Sequence, residues 1–246
     1  MGKYQLKLAL MQPTFNPWLG YFDLIDYVDT FVFLDTVQLN QKSWQTRNKL
    51  KIQGKEFLFS LPIVKNKARQ ELLIQDTLLN FSEFDFRKKL SKTLNRNYKK
   101  AKHYNSVNNF IQELVSFDTK YLSQYNINII QKISEKLEFD TKLIILSQTD
   151  YKCDLSKGDL VLNVCKYFDT NMYISPLGSK EYLDKAIDSF FANSIGVCYQ
   201  YYKHPKYNQI EEDFIPYIGI FDLLYNEGFD NAKSIIKSGR NYKKAE

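Results

Sequence analysis

An α/β fold, with a parallel Rossmann-like sheet and a two-helix insertion, is what these 246 residues predict. Leu6 to Met11 and Phe31 to Leu34 are continuous apolar runs, the pattern of strands buried on both faces. A proline-rich turn and a short helical pattern lie between them, so the segment fits a βαβ unit of about thirty residues. Two long amphipathic stretches, Phe81 to Lys102 and Val107 to Leu137, intervene before strand-like sequence returns at Leu143 to Leu146.

Pro13, Pro17 and Gly20 punctuate the first turn, and Phe22, Leu24, Ile25 and Val28 give the helical spacing that follows it. A right-handed crossover sets the Gln12–Tyr21 turn at the carboxyl end of the first strand, the edge where open α/β sheets bind ligands. Asp35 to Lys51 reads as a polar loop with a short strand, and Phe57 to Val64 as a third apolar strand. The insertion, at about residues 81–138, places Phe86, Leu90, Leu94 and Tyr98 on one stripe. A second stripe, Leu114, Leu122, Tyr125, Ile129, Ile133 and Leu137, breaks near Asp118. Asp159 to Phe168 and Glu181 to Phe191 read as helices, and Met172 to Ile174 and Val197 to Tyr202 as strands. Ile220 to Asn226 and Asp230 to Lys237 close a single domain as helices. Only the basic tail, residues 237–246, has the composition of a disordered segment.

Composition limits the function classes. Hydrophobic residues are 44% and charged residues 25%, as in a globular domain. No apolar run approaches the about 20 residues that span a bilayer, and Leu6 to Met11 is too short for a signal-peptide core. Cys153, Cys165 and Cys198 lack metal or disulfide spacing, so a reducing, cytoplasmic location is expected. The net charge of +6 is uneven: from Phe86 to Gln112 no acid interrupts Arg87, Lys88, Lys89, Lys92, Arg96, Lys99, Lys100 and Lys102. That stretch is either a solvated helix face or a surface for an anion such as a nucleotide diphosphate, RNA or an anionic membrane.

Three stretches carry chemistry that packing alone does not explain. The Gln12–Tyr21 turn combines prolines, aromatics and Gly20, which lets a ligand approach the backbone at a helix N-terminus. Gln38, Lys42, Trp44, Arg47 and Asn48 can hold a polyol or pyrophosphate by amide hydrogen bonds, charge and stacking. His204, followed by Tyr207 and Gln209, sits after a predicted strand and can move a proton near neutral pH. Rigid-corner, solvated-loop and structural-histidine readings stand beside these. P-loop, zinc-protease and hydrolase motifs are absent, and no metal-ligand cluster appears.

The pieces QPTFNPWLGYFDLIDYVDTFVFLDTVQ, KSWQTRNK, YISPLGSKEYL, YKHPKYNQ and IFDLLYNEG occur in this order. Together they resemble the WbqC-like protein family over essentially the whole chain. The resemblance implies bacterial O-antigen and related surface-polysaccharide biosynthesis. The implied step is amide formation, acyl or aminoacyl, on a nucleotide- or lipid-linked amino sugar, alongside other glycan-biosynthesis enzymes. It adds Ser175 and Gly178 of the third piece to the substrate-binding set. A partial second resemblance is to the H-x-G-H turn of pantothenate synthetase and related nucleotidyltransferases, which receives ATP phosphates. Here Trp18 and Tyr21 replace both histidines, only Gly20 matches, and no K-M-S-K-S loop follows. ATP is thus a candidate co-substrate, although no cofactor is required structurally. His204 is the expected base, and Trp18, Trp44 and Tyr207 the stacking surfaces. A non-catalytic binding module for a glycan or nucleotide sugar is the alternative. Nucleic acid is the least expected partner.

Overall fold

The computed structural model describes residues 6–40, 43–64, 72–211 and 213–245. Six strands form one sheet in the order β5-β2-β1-β6-β7-β8. They are β1 (Lys7–Met11), β2 (Thr30–Phe33), β5 (Lys142–Ile145), β6 (Met172–Pro176), β7 (Gly196–Gln200) and β8 (Tyr242–Lys244). All neighbours are parallel except β7 and β8, which pair antiparallel. The order reverses between β1 and β6: the chain goes from β1 to β2 on one side and from β6 to β7 on the other. A reversal of this kind opens a crevice at the carboxyl ends of the two central strands.

Strand alternation explains how both faces are buried. Ala9, Phe31, Phe33 and Ile174 point into one core with α1 (Leu19–Tyr27) and α8 (Ile220–Ser238). The insertion packs there too, as α2 (Phe86–Tyr98), α3 (Tyr104–Ser116) and α4 (Leu122–Lys136). Leu8, Leu10, Val32, Tyr173 and Val197 point the other way, against α5 (Lys157–Tyr167), α6 (Lys180–Asp184) and α7 (Ile187–Ala192). The two amphipathic runs therefore become three helices, with the break at Asp118.

Several elements differ from their sequence pattern. The run from Phe57 to Val64 is not a sheet strand. Its strand is β4 (Lys55–Ser60), which forms a separate antiparallel hairpin with β3 (Arg47–Ile52). Gln53 and Gly54, at φ 51° and 73°, supply the left-handed pair that a tight two-residue hairpin requires. The stretch from Glu181 to Phe191 breaks into α6 and α7. The two closing helices are one element kinked at Gly228 (φ 72°), where a Cβ would meet the His103 ring at 2.5 Å. The basic tail is part of the fold: Tyr242–Lys244 adds β8 to the sheet, and Arg240 reaches buried carboxylates on α1.

Candidate functional site

The turn after β1 is held rigidly by buried amides. Asn16, fully buried at φ 42°, accepts from the Phe221 N–H (3.1 Å), so it caps α8. Gly219 must lack a side chain, because a Cβ there would overlap the Asn16 amide. Asn48 donates to Phe15 O (2.8 Å) and Asn16 O (2.9 Å). Asn126 on α4 donates to Pro13 O (3.0 Å) and Gln45 O (2.9 Å). Gln45 in turn donates to the Gln12 side chain (2.7 Å). The first two sequence stretches thus converge, joined through side chains that satisfy main-chain carbonyls.

Between them lies a cavity of about 340 Å³, lined by Met11, Thr14, Trp18, Tyr21, Trp44, Asn48, Lys49 and Tyr217. Trp44 and Tyr217 are 48% and 50% exposed, so about half of each side chain is open to solvent. Tyr21 is buried and donates to Gln12 O (3.1 Å); burial pushes its phenol well up, so it stays protonated. Lys49 is tied to Glu56 at 2.8 Å. The Arg47 guanidinium lies 6.0 Å from the Trp44 ring.

The space beside Gly20 is taken up by a neighbouring side chain. A Cβ there would meet the Trp18 indole at 2.6 and 2.7 Å, so the glycine seats Trp18 and the indole covers the helix start. His204 stacks behind Trp18 (centroids 6.3 Å, interplanar angle 14°) and against the Tyr217 edge (5.0 Å). Its Nδ1 is 3.0 Å from Pro205 O, and a carbonyl only accepts, so Nδ1 carries the proton. Nε2 is left as a buried acceptor without a hydrogen-bond partner. Burial lowers the imidazole pKa, which keeps the ring neutral.

Other predicted residues lie apart from the cavity. Tyr207 is buried and donates to Asp222 (2.8 Å), while Gln209 bonds both polar groups of the Ile215 backbone. Both lie outside the cavity lining, where their hydrogen bonds shape the loop. Gln38 is exposed and bridges Leu73. Ser175 is fully buried at the end of β6, with its hydroxyl on Pro176 O (3.0 Å), and open space surrounds Gly178. Lys42 lies outside the described residues. Sequence reasoning missed Met11, Thr14, Lys49 and Tyr217. Thr14 lay within the odd turn, but Tyr217 comes from a distant loop with no local signal.

A buried charge cluster anchors that loop. Asp222, fully buried at the start of α8, accepts from Tyr98 (2.9 Å) and Tyr207 (2.8 Å). Lys51 is 1% exposed and donates to the backbone carbonyls of Glu211 (3.4 Å) and Asp213. Burial pushes the Asp222 carboxyl up to about 6, against the tyrosine hydrogen bonds and Lys51 that lower it. A raised carboxyl favours the protonated fold, so its contribution is full below the ordinary carboxylate range and is lost as pH rises through about 6. Wild type is therefore expected to gain about 2 kcal/mol over Asp222→Asn between pH 7 and 4, read by urea melts at each pH. Parallel pH curves for the two proteins would refute this.

Comparison with known proteins bears on this arrangement. The WbqC-like protein family model matches residues 12–234, from the turn to the far half of α8. The chain belongs to the WbqC-like protein family. It is also 30% identical over 226 residues to the Mycobacterium tuberculosis (strain ATCC 25618 / H37Rv) protein named "Uncharacterized protein Rv1507c", covering 90% of this chain and 94% of that one. No solved structure matches. The WbqC-like match begins at Gln12, where the site begins, and includes every cavity residue except Met11. Among the described residues no helix is long and apolar enough to cross a membrane, and no cluster could hold a metal ion.

Proposed function

We propose that this WbqC-like protein is a transferase of bacterial surface-polysaccharide (O-antigen) assembly that forms an amide on a nucleotide- or lipid-linked amino sugar. The observation that carries the reading is the cavity itself. Four aromatic side chains, Trp18, Tyr21, Trp44 and Tyr217, line it with polar Thr14, Asn48 and Lys49, and a neutral imidazole stacks behind Trp18. Ligand pockets start at about 300 Å³, so this cavity suits one sugar ring and leaves a nucleotide or lipid carrier outside. Aromatic faces take the apolar side of such a ring, and the Thr14 hydroxyl and the Lys49 ammonium take its hydroxyls.

In this reading the sugar amine attacks the carbonyl carbon of an activated acyl or aminoacyl donor. The C–N bond forms, the bond to the leaving group breaks, and the amine proton passes through His204 Nε2 to the leaving group. ATP fits the corner poorly, because the Trp18 indole fills the approach to Gly20 that a triphosphate would use. The donor is therefore taken as already activated. Three free cysteines support a cytoplasmic setting.

Titrating nucleotide-linked amino sugars into the protein by calorimetry tests the site. Trp44→Ala is expected to weaken binding about tenfold or more, since each stacked aromatic contributes about 1–3 kcal/mol. Incubation with acyl and aminoacyl donors is expected to give a mass gain on the sugar; no binding and no gain with any pair would sink the reading. A second reading, a non-catalytic glycan- or nucleotide-sugar-binding module, is favoured by one fact: His204 Nε2 has no exposed surface behind Trp18.

A further inference from the structure

Away from the cavity, α2 and the β3–β4 hairpin enclose an open groove of about 620 Å³. Lys88, Lys92 and Arg96 recur every four residues on one edge of α2, and Lys89 lies beside them. All four are exposed, while Phe86, Leu90, Leu94 and Tyr98 on the opposite side of the helix are buried. Among the described residues none of the four cations pairs with a carboxylate. Asp85, which lines the groove with them, is committed to Arg87 at 3.0 Å and to capping α2. Glu211 lies near the hairpin tip at Gly54. Phe57 from the hairpin and Phe84 before the helix line the same groove, 43% and 44% exposed.

We infer that this groove docks the protein on a bilayer of anionic lipids, with the four cations among the headgroup phosphates and the two phenylalanine rings inserted beside them. Unpaired cations and exposed large apolar rings on one face are the combination that holds peripheral proteins at an anionic interface. Neither feature is needed for folding, since the core side of α2 is already complete. Single-stranded nucleic acid also pairs cations with rings, but it needs an open ring face for stacking. The Lys89 ammonium occupies the Phe84 ring at 5.4 Å, which favours the bilayer. Bilayer docking through this groove needs no sugar substrate and is independent of the proposed reaction.

The test is sedimentation of the full chain with vesicles of phosphatidylcholine alone and of equal phosphatidylcholine and phosphatidylglycerol. Binding is expected only with the mixture, weakening as salt rises. The triple variant Lys88→Gln, Lys92→Gln, Arg96→Gln is expected to bind about a hundredfold more weakly, since each basic side chain contributes about a factor of five at such a surface. Phe57→Ser with Phe84→Ser is expected to weaken binding while keeping the salt dependence. Circular dichroism checks that both variants fold. Equal binding to both vesicles, binding to neither, or a triple variant that binds like wild type would overturn the proposal. So would retention of single-stranded RNA by a protein that ignores both vesicles.

Discussion

Arg240→Met is expected to lower the unfolding free energy by about 3–5 kcal/mol in urea melts. Arg240 Nε donates to Asp23 (2.7 Å), and its Nη2 reaches Asp26 (2.5 Å), one turn further along α1. Asp23 is fully buried, and its other oxygen accepts from Tyr242 (2.8 Å) and Gln200 (3.0 Å). Methionine keeps most of the packing volume but leaves a carboxylate inside the protein with neutral donors only. That is the situation in which breaking an ion pair is severe, in contrast to the about 0–1 kcal/mol of a surface pair. Adding Asp23→Asn to Arg240→Met is expected to restore part of the loss, because no unpaired charge then remains. A loss under about 1 kcal/mol would show that the pair behaves as a surface one. The consequence reaches the site: α1 starts beneath Trp18, and the Tyr27–Tyr242 stack (3.8 Å) adds to the same clamp.

This clamp also shows what the sequence conceals. Strands such as Leu6 to Met11 were legible because both faces of a central parallel strand are buried, which leaves an unbroken apolar run. The stripes of α2, α3 and α4 were legible from helical periodicity. Tyr242–Lys244 was not: an edge strand of three residues, two of them lysine, has no apolar pattern, and its pairing is decided by Tyr201 and Ala245 meeting the backbone of distant segments. The hairpin after Arg47 did carry a signal, Gln53-Gly54 between two short runs, but the apolar stretch at Phe57 outweighed it. Charged residues conceal more. Lys51 and Asp222 are of residue types that usually face solvent, yet both are buried, with loop carbonyls and tyrosine hydroxyls satisfying them. In the site, the local oddity of the Gln12–Tyr21 turn was enough to locate the cavity. It could not say that the Trp18 indole would cover Gly20, nor that Tyr217 would join the cavity lining while Tyr207 lies outside it. The first depends on the Trp18 indole folding back over the helix start, the second on a contact between residues 199 apart in sequence.

His204→Asn is expected to reduce kcat for amide formation by about 100-fold to 10,000-fold while leaving sugar affinity nearly unchanged. Asparagine keeps a donor for Pro205 O, so the loop retains its hydrogen bond, but it has no base to accept the amine proton. The pH profile separates this role from a structural one. Burial lowers the imidazole pKa, so wild type is expected to hold its full rate at neutral pH and to lose it only below the usual imidazole value of about 6.5. In His204→Asn that acidic limb is expected to vanish, leaving a slow rate that does not follow it. Nε2 has no exposed surface and the His204 ring packs among Trp18, Tyr207, Phe214 and Tyr217. In this reading a ring must therefore move aside to open a proton path, and half-exposed Tyr217 is the one with room to do so. Restraining the loop should then slow the reaction without abolishing binding, and Tyr217→Ala should shift the balance toward an accessible base. Should His204→Asn instead sustain polysaccharide modification in cells at the wild-type level, the ring would be a packing element. The aromatic cavity would then serve recognition alone, and the binding-module reading would replace the transferase.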